Sequence, residues 1–201
     1  MSEQRDPAGP MAVTNALLQA DIQRLKDELL KAEWRIAELE AKADVDPLLD
    51  ILNRRGFDRE LARSLAYVKR YNANAALVFI DLDGFKSIND KHGHAAGDAL
   101  LKAVVEAVRS RVRASDTVAR FGGDEFAVLL WHLDEARAQA KGRELESVVS
   151  STTVVHRNEQ LSVGASAGAV ALPQEGTPEQ VLEAADQAMY ARKREKRSAK
   201  Q

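Results

Sequence analysis

The chain reads Arg-Phe-Gly-Gly-Asp-Glu-Phe from Arg120 to Phe126, between two runs of strand length. Residues 117–119 before this stretch and residues 126–130 after it are β-branched or apolar. Two glycines between such runs predict a β-hairpin, because glycine tolerates positive φ and lets a ligand or a second backbone approach closely. Asp124 and Glu125 repel each other at its tip, so we expect a cation beside them. An acidic turn on the protein surface is the alternative.

The composition limits the classes of function. The 201 residues suffice for one domain of ordinary size and an extension. Lys and Arg total 29 against 31 Asp and Glu, which argues against binding of nucleic acid through bulk charge. The absence of cysteine excludes a disulfide framework and a zinc–thiolate site. No apolar run approaches the roughly 18 residues of a membrane span, and no signal peptide begins the sequence, so we expect a cytoplasmic protein.

The first part of the sequence carries a heptad pattern. No Gly or Pro interrupts residues 15–43, and apolar residues recur there in alternating steps of four and three. Ile at position a with Leu at position d favours a parallel two-stranded coil, so we predict a dimeric coiled coil over residues 14–45, after a disordered tail of residues 1–13. A single amphipathic helix packed on its own domain is the alternative, but two apolar positions per heptad make a narrow stripe for that. Position a holds Asn15, Ile22, Leu29, Ile36 and Ala43, and position d holds Leu18, Leu25, Ala32 and Leu39.

After Pro47 helical and strand patterns follow one another, which predicts a central sheet with helices packed against it. The run from Ala75 to Leu82 is apolar at nearly every position, as in a strand buried on both faces. Asp81 interrupts this run, and a buried carboxylate is costly unless it is paired or binds a metal ion. The predicted helices are residues 53–70, 97–113, 134–149 and one that begins at Thr177 with Pro at its first position. The predicted strands are residues 75–82, 117–119, 126–130, 152–156 and 161–172.

Gly122–Phe126 resembles the signature for which GGDEF domains are named, and other motifs of that family accompany it in the right order. The resemblance covers residues 46–197 and leaves 198–201 as a short tail. It implies an α/β (α+β) fold with a palm-like core, in which helices surround a central, mostly antiparallel sheet. The chain departs from the family where Leu49-Asp50 replaces Thr-Gly and where Lys196 replaces a Gly, whose loss lets the last helix run on. The other motifs are Asp46–Leu48, Asn53–Arg55, Asp81–Asp90, His94 with Gly97–Asp98, Ser166–Gly168, and Asp186–Tyr190 with Lys193.

The resemblance implies a diguanylate cyclase, which condenses two GTP molecules into cyclic di-GMP and releases two pyrophosphates. Each protomer binds one GTP, so two protomers must meet, and a coiled coil would raise the effective concentration of each half-site for the other. An upstream sensor outside this sequence would set the register of the coil. The alternatives are an inactive GGDEF module that binds GTP or cyclic di-GMP as a receptor, and a plain dimerisation domain. Degenerate members usually lose the Gly-Gly-acid-Glu motif, which this chain keeps.

The resemblance also assigns the metal site. Phosphoryl transfer needs hard oxygen ligands for Mg²⁺, which binds through a few carboxylates together with substrate phosphates. By resemblance, Asp81 and Asp124 hold metal, with the carbonyl of Leu82 as a further ligand. Glu125 either shares a metal ion or helps to deprotonate the attacking 3′-hydroxyl. Two Mg²⁺ or Mn²⁺ ions per site would neutralise charge on the attacking and leaving oxygens.

The GTP site follows from the same resemblance. Asn89 and Asp98 resemble the readers of the guanine edge, although Asn89-Asp90 alone would be typical of a helix end. Lys193 and Arg197 resemble the cations that bind the β- and γ-phosphates, although a solvated basic helix end would look the same. Further predicted contacts to GTP are Phe85, Lys86, His94, Gly122 and Gly123.

Arg113-Ala114-Ser115-Asp116 resembles the RxxD site at which cyclic di-GMP inhibits these enzymes. Arg can grip phosphate or stack on guanine, and a carboxylate can accept hydrogen bonds from a guanine edge. The pattern is weak alone, but it ends five residues before Gly122, as in the family. Arg143 is the candidate for the second arginine of this site, although Gly142 could occupy that position instead.

Overall fold

The computed structural model describes residues 19, 21–35 and 43–199. The chain divides between residues 43 and 44 into two units. In the first unit, residues 21–35 form a helix, α1, on which Ile22, Leu25 and Leu29 are 51–59% exposed. The heptad positions Asn15, Leu18, Ile36 and Leu39, like the predicted tail of residues 1–13, lie outside the described residues. The coiled coil therefore stays a prediction.

A five-stranded sheet forms the centre of the second unit. β1 (Leu52–Asn53) pairs in parallel with β3 (Thr117–Arg120), and the other neighbours pair antiparallel in the order β3, β4 (Glu125–Trp131), β2 (Ala75–Asp83) and β7 (Gly164–Ala171). The predicted mostly antiparallel sheet is thus confirmed. β5 (Thr153–His156) and β6 (Glu159–Ser162) form a separate hairpin. The helices are α2 (Arg54–Tyr71), α3 (Phe85–His92), α4 (His94–Arg109), α5 (Glu135–Ser151) and α6 (Pro178–Ser198). None of the described helices is long and apolar enough to cross a membrane.

β2 is the central strand, and its residues divide between two hydrophobic cores. Val78 and Ile80 face the core built with α4 and α5, whereas Leu77 and Phe79 face the core built with α2 and α6. This alternation follows from the two-residue period of a strand. All residues from Ala75 to Ile80 are buried, so the prediction of a strand covered on both faces is confirmed.

Two boundaries predicted from the sequence are wrong. The helix predicted at 97–113 starts at His94 and ends at Arg109, and a separate helix, α3, precedes it. Gly84 and Gly93, with φ of 84° and 83°, flank α3, and its eight residues bury only Phe85, so its apolar periodicity is too weak to detect. The strand predicted at 161–172 is two strands, β6 and β7, which pair with different neighbours.

Thr177 is the N-cap of the last helix and Pro178 is its first residue, as predicted, and Gln180 completes a capping box that was not predicted. Thr177 Oγ1 accepts a hydrogen bond from the Gln180 N–H, and Gln180 Oε1 accepts one from the Thr177 N–H. The helix then crosses β7 at Gly168, where a Cβ would clash with the backbone of α6. It continues to Ser198 without a break, as expected from the loss of the family's Gly. This close approach brings the basic end of α6 to the end of β2.

Candidate active site

Three carboxylates gather where β2 meets the hairpin of β3 and β4. Asp81 lies directly opposite Glu125 in the β2–β4 ladder, and the Leu82 N–H donates to the Asp124 carbonyl at 3.0 Å. Burial raises the pKa of Glu125, and the charges of Asp81, Asp124 and Asp186 raise it further, in that order. Arg54 opposes this shift. The three carboxylates therefore repel one another, and a cation beside them would relieve this repulsion.

The ammonium group of Lys193 partly neutralises these carboxylates. The Lys193 Nζ lies 2.5 Å from Asp81 Oδ1 and 3.9 Å from Asp83 Oδ1. Within the described part of the chain, no three His, Cys, Asp or Glu side chains converge closely enough to hold a metal ion by themselves. The donor set nonetheless fits a Mg²⁺ ion shared with a nucleotide, because such ions take only a few carboxylates and complete their shell with phosphate oxygens and water. Asp81, Asp124 and Glu125 are the residues that would hold it.

A basic cavity of about 260 Å³ adjoins the carboxylates. Lys193 and Arg197 line it, as the phosphate prediction requires, and Lys196 lines it too. Positions i, i+3 and i+4 share one face of a helix, so these three cations point the same way from α6. The sequence places Lys196 in the basic end of the last helix and shows it as a departure from the family, but the resemblance assigns it no contact with GTP. Asp83 and Gly84 complete the lining.

Lys196 is held by groups that the sequence did not single out. Its Nζ donates to the Ala165 carbonyl and lies 3.5 Å from both Asp83 Oδ2 and Glu146 Oε1. Glu146 is 7% exposed and accepts two hydrogen bonds from the Arg192 guanidinium, at 2.9 and 3.1 Å. Burial alone would raise the pKa of Glu146, but the bonds from Arg192 and the Ala167 N–H, with the charge of Lys196, lower it. No sequence signal predicts this network, because Glu146 and Lys196 lie 50 residues apart.

The predicted guanine readers come from consecutive helices. Asn89 lies near the end of α3 against Gly97, where a Cβ would clash with its Oδ1, so this glycine makes room for the amide. Asp98, the next residue of α4, is exposed. Phe85 does not fit its predicted contact with GTP: it is 6% exposed and packs into the core. The predicted Lys86 and His94 are exposed on the same two helices.

The glycine-rich loop differs from the predicted turn. Neither Gly122 nor Gly123 has a positive φ, so backbone conformation does not demand glycine there. Instead, a Cβ on Gly122 would lie 2.7 Å from Glu125 Oε2, whereas a Cβ on Gly123 would meet open space. Arg120 fixes the loop: its guanidinium donates to the carbonyls of Gly122 and Gly123 at 3.0 and 2.8 Å, and to Asp46 at 3.1 Å. Arg120 belongs to the sequence motif, but no signal in the sequence predicts this role.

The residues predicted for product inhibition do not all share one cavity. Arg113 and Asp116 line a cavity of about 440 Å³ together with Arg109. Asp116 already accepts hydrogen bonds from the N–H groups of Arg113 and Trp131, at 2.8 and 3.1 Å. Arg143 lines a different cavity, of about 250 Å³, between α5 and α6. Within one protomer, Arg143 therefore does not complete the predicted site.

The comparisons with known proteins agree with this architecture. The family described as "Diguanylate cyclase, GGDEF domain" matches residues 43–199. The diguanylate cyclase TpbB of Pseudomonas aeruginosa is 36% identical over 206 residues, which cover 98% of this chain and 47% of TpbB. The chain spans 29–61% of the length of three curated diguanylate cyclases that it matches, TpbB included.

Two solved structures share the fold. A sensory box/GGDEF family protein from Caulobacter crescentus is 35% identical with a TM-score of 0.70, over 76% of this chain and 99% of that one. The coiled coil and GGDEF domain of DgcB, also from Caulobacter crescentus and in complex with c-di-GMP, is 27% identical with a TM-score of 0.73, over 88% of this chain and 94% of that one. The family match covers well over half of the sequence, and the chain therefore belongs to the GGDEF family of diguanylate cyclase domains.

Proposed function

We propose that this chain condenses two GTP molecules into cyclic di-GMP and releases two pyrophosphates, as a homodimer. The observation that carries the proposal is the junction of two oppositely charged groups of side chains at the end of β2. Asp81, Asp124 and Glu125 form the acidic group, and Lys193 and Arg197 belong to the basic cavity beside it. A nucleoside triphosphate with its metal ion needs both kinds of group next to each other.

The side chains divide the work between binding and proton transfer. Bound Mg²⁺ or Mn²⁺, two ions in the family's manner, would supply neutralisation of the charge on the reacting oxygens. Asp81 and Asp124, with the carbonyl of Leu82, would bind metal, and Lys193 and Arg197 would bind the terminal phosphates. Glu125, opposite Asp81 in the strand ladder, would either share a metal ion or help to deprotonate the attacking 3′-hydroxyl. Asn89 and Asp98 would hold the guanine edge, with Lys86 and His94 nearby.

Ligand binding requires one rearrangement in the basic cavity. Lys193 lies at hydrogen-bond distance from Asp81, where a metal ion would compete with it. When GTP brings in phosphates, the ammonium exchanges a carboxylate for a phosphate oxygen and stays paired. The carboxylate is then released for the metal. Nucleotide and metal would therefore bind with positive cooperativity, because either ligand would separate Lys193 from Asp81 and so spare the other ligand that step.

The dimer is the second part of the proposal. One protomer carries one such site, so the two GTP molecules must come from two protomers that face each other. The apolar positions of α1 support a helix pair, because Ile22, Leu25 and Leu29 are more than half exposed in the single chain. A parallel coil of α1 helices would hold two sites at high effective concentration. A partner or sensor acting on that coil would then regulate the encounter.

Product inhibition is the third part. Arg113 and Asp116 line one cavity and retain the spacing of the family's RxxD site. The exposed guanidinium of Arg113 can grip a phosphate or stack on guanine. Since Arg143 lies elsewhere in the protomer, it would reach cyclic di-GMP bound at this cavity only from the partner subunit.

Chromatography of the products after incubation with GTP and Mg²⁺ tests the activity. We expect cyclic di-GMP, with a specific activity that rises with protein concentration and then levels off as dimers saturate. The protein must first be stripped of bound nucleotide and shown to be folded by circular dichroism. Absence of product at every concentration from such protein would contradict an active cyclase and favour a receptor that only binds GTP or cyclic di-GMP, or a cyclase that its coil holds inactive.

A further inference from the structure

The last turn of α6 carries an additional cation, Lys196, that faces the basic cavity. Lys193, Lys196 and Arg197 line this cavity together, and only Asp83 opposes them with a negative charge among its lining residues. We propose that Lys196 is a third phosphate-binding residue for the GTP triphosphate and that Glu146 positions it, an inference that rests on the proposed function. Three cations at i, i+3 and i+4 match the spread of charge over a triphosphate better than two.

The contacts of Lys196 leave it able to take a new partner. Its ammonium makes one hydrogen bond, to the Ala165 carbonyl, and two longer ionic contacts of 3.5 Å to Asp83 and Glu146. Its side chain is 25% exposed, so solvent and ligand can reach it. A phosphate oxygen can replace Asp83 without leaving any group unpaired, because Asp83 also accepts a hydrogen bond from the Ser166 hydroxyl at 2.9 Å.

Glu146 explains why the ammonium stays at this place. A carboxylate that is only 7% exposed is costly unless it is fully paired, and Glu146 is paired by Arg192, the Ala167 N–H and Lys196. Arg192 and Lys196 lie four residues apart on α6, so one carboxylate on α5 fixes both side chains. The network ties α5, α6 and β7 together directly beneath the cavity. It therefore sets the direction in which Lys196 points.

Binding of two nucleotides tests the phosphate role without turnover. GMPCPP keeps the triphosphate but cannot release pyrophosphate, and GMP lacks the terminal phosphates. By calorimetry in Mg²⁺, we expect Lys196→Met to weaken GMPCPP binding about 10-fold or more, the size of one lost charge-assisted hydrogen bond, and to leave GMP binding unchanged. Lys196→Arg should retain most of the affinity. Arg194→Met, a change at an exposed position on the same helix, is the matched control.

The outcomes separate this inference from the proposed function. A wild-type protein that binds neither nucleotide would refute the GTP site altogether. If the wild type binds GMPCPP and Lys196→Met binds it equally well, the role of Lys196 alone is overturned. The same conclusion follows if Lys196→Met weakens the binding of GMP as much as the binding of GMPCPP. Lys196 could also act merely by screening Asp83. Adding Asp83→Asn to Lys196→Met would then restore GMPCPP affinity, and full restoration would overturn direct phosphate binding.

A double-mutant cycle tests the positioning role of Glu146. Glu146→Gln preserves the shape of the side chain and should weaken GMPCPP more than GMP, as Lys196→Met does. In the Lys196→Met background, the same change should cost little further, because the two residues act through one ammonium. Losses that simply add would show that Glu146 supports the fold only. Thermal melts of each variant confirm that folded protein is compared.

Discussion

The charged form of the Glu125 side chain is destabilised by its surroundings. It lies opposite Asp81 at the end of two paired strands, and burial with three neighbouring carboxylates raises its pKa. The folded state therefore holds the Glu125 proton more tightly than the unfolded state does. The contribution of this residue to stability is present in acid and is lost as the pH rises through its raised pKa.

Glu125→Gln should stabilise the ligand-free protein while it abolishes turnover. Glutamine keeps the shape but removes a charge that repels Asp81 and Asp124, so we expect a higher melting temperature at neutral pH and a shrinking difference in acid. Cyclic di-GMP formation should fall at least about 100-fold, as when other preorganised electrostatic groups are removed. Calorimetric melts without divalent cations, with Glu175→Gln as an exposed control, measure the first effect. A lower melting temperature at neutral pH would contradict the repulsion.

Arg113 offers the cleaner test of product inhibition. Asp116 accepts two backbone hydrogen bonds, so its replacement would also disturb the turn that joins α4 to β3. Arg113→Ala removes an exposed guanidinium, and we expect the initial rate to stay within about twofold of wild type while the inhibition constant for cyclic di-GMP rises at least about 10-fold. Initial rates over a range of added cyclic di-GMP measure both. Unchanged inhibition would exclude Arg113 from the inhibitory site.

The hairpin of β3 and β4 shows how one element combines rigidity with access. Arg120 clamps both glycine carbonyls and connects the loop to Asp46, at the start of the globular unit. The surroundings of the two glycines differ. Gly122 leaves room for the Glu125 carboxylate, whereas a Cβ on Gly123 would meet open space.

Alanine at each glycine should therefore act differently. Gly122→Ala displaces the Glu125 carboxylate, and we expect kcat to fall at least about 10-fold with little change in KM for GTP. Gly123→Ala fits the unbound loop, so the melting temperature should not change, whereas KM for GTP should rise if nucleotide approaches over this backbone. Steady-state kinetics with thermal melts of both variants provide the comparison. Identical effects of the two changes would refute the separate roles.

At the level of the whole chain, the proposed activity would depend on how two protomers meet. Leu25 and Leu30 are similarly exposed on α1, at 57% and 62%. Only Leu25 falls on the predicted seam of the coil, because Leu30 follows the a position Leu29. A heptad therefore predicts different results for chemically identical changes.

Leu25→Glu should dissociate the dimer, whereas Leu30→Glu should not. Two facing glutamates in the seam repel and are desolvated, so we expect the dimer dissociation constant to rise at least about 100-fold. Specific activity at low protein concentration should fall in parallel and recover as concentration rises. Analytical ultracentrifugation with activity measurements tests both. Equal effects of the two changes would refute the heptad register, and no effect of either would refute dimerisation through this helix.

The sequence by itself determined the family, the central buried strand and most of the charged residues that reach the site. Apolar periodicity and short motifs are local signals, and Asp81, Glu125 and Lys193 each belong to one. The sequence did not reveal α3, whose eight residues bury only Phe85, or the division of the last apolar run into β6 and β7. Both depend on glycine conformation and on strand partners far along the chain.

Only the tertiary structure decided which charged groups that lie far apart in the sequence form ion pairs. The approach of α6 to β7 at Gly168 brings Lys196 to Glu146 and Asp83, and it brings Lys193 to Asp81, 112 residues away. It likewise placed Phe85 in the core and separated Arg143 from Arg113. Such pairings depend on the packing of helices against the sheet. Packing is a property of the complete set of contacts, and no local pattern of residues encodes it.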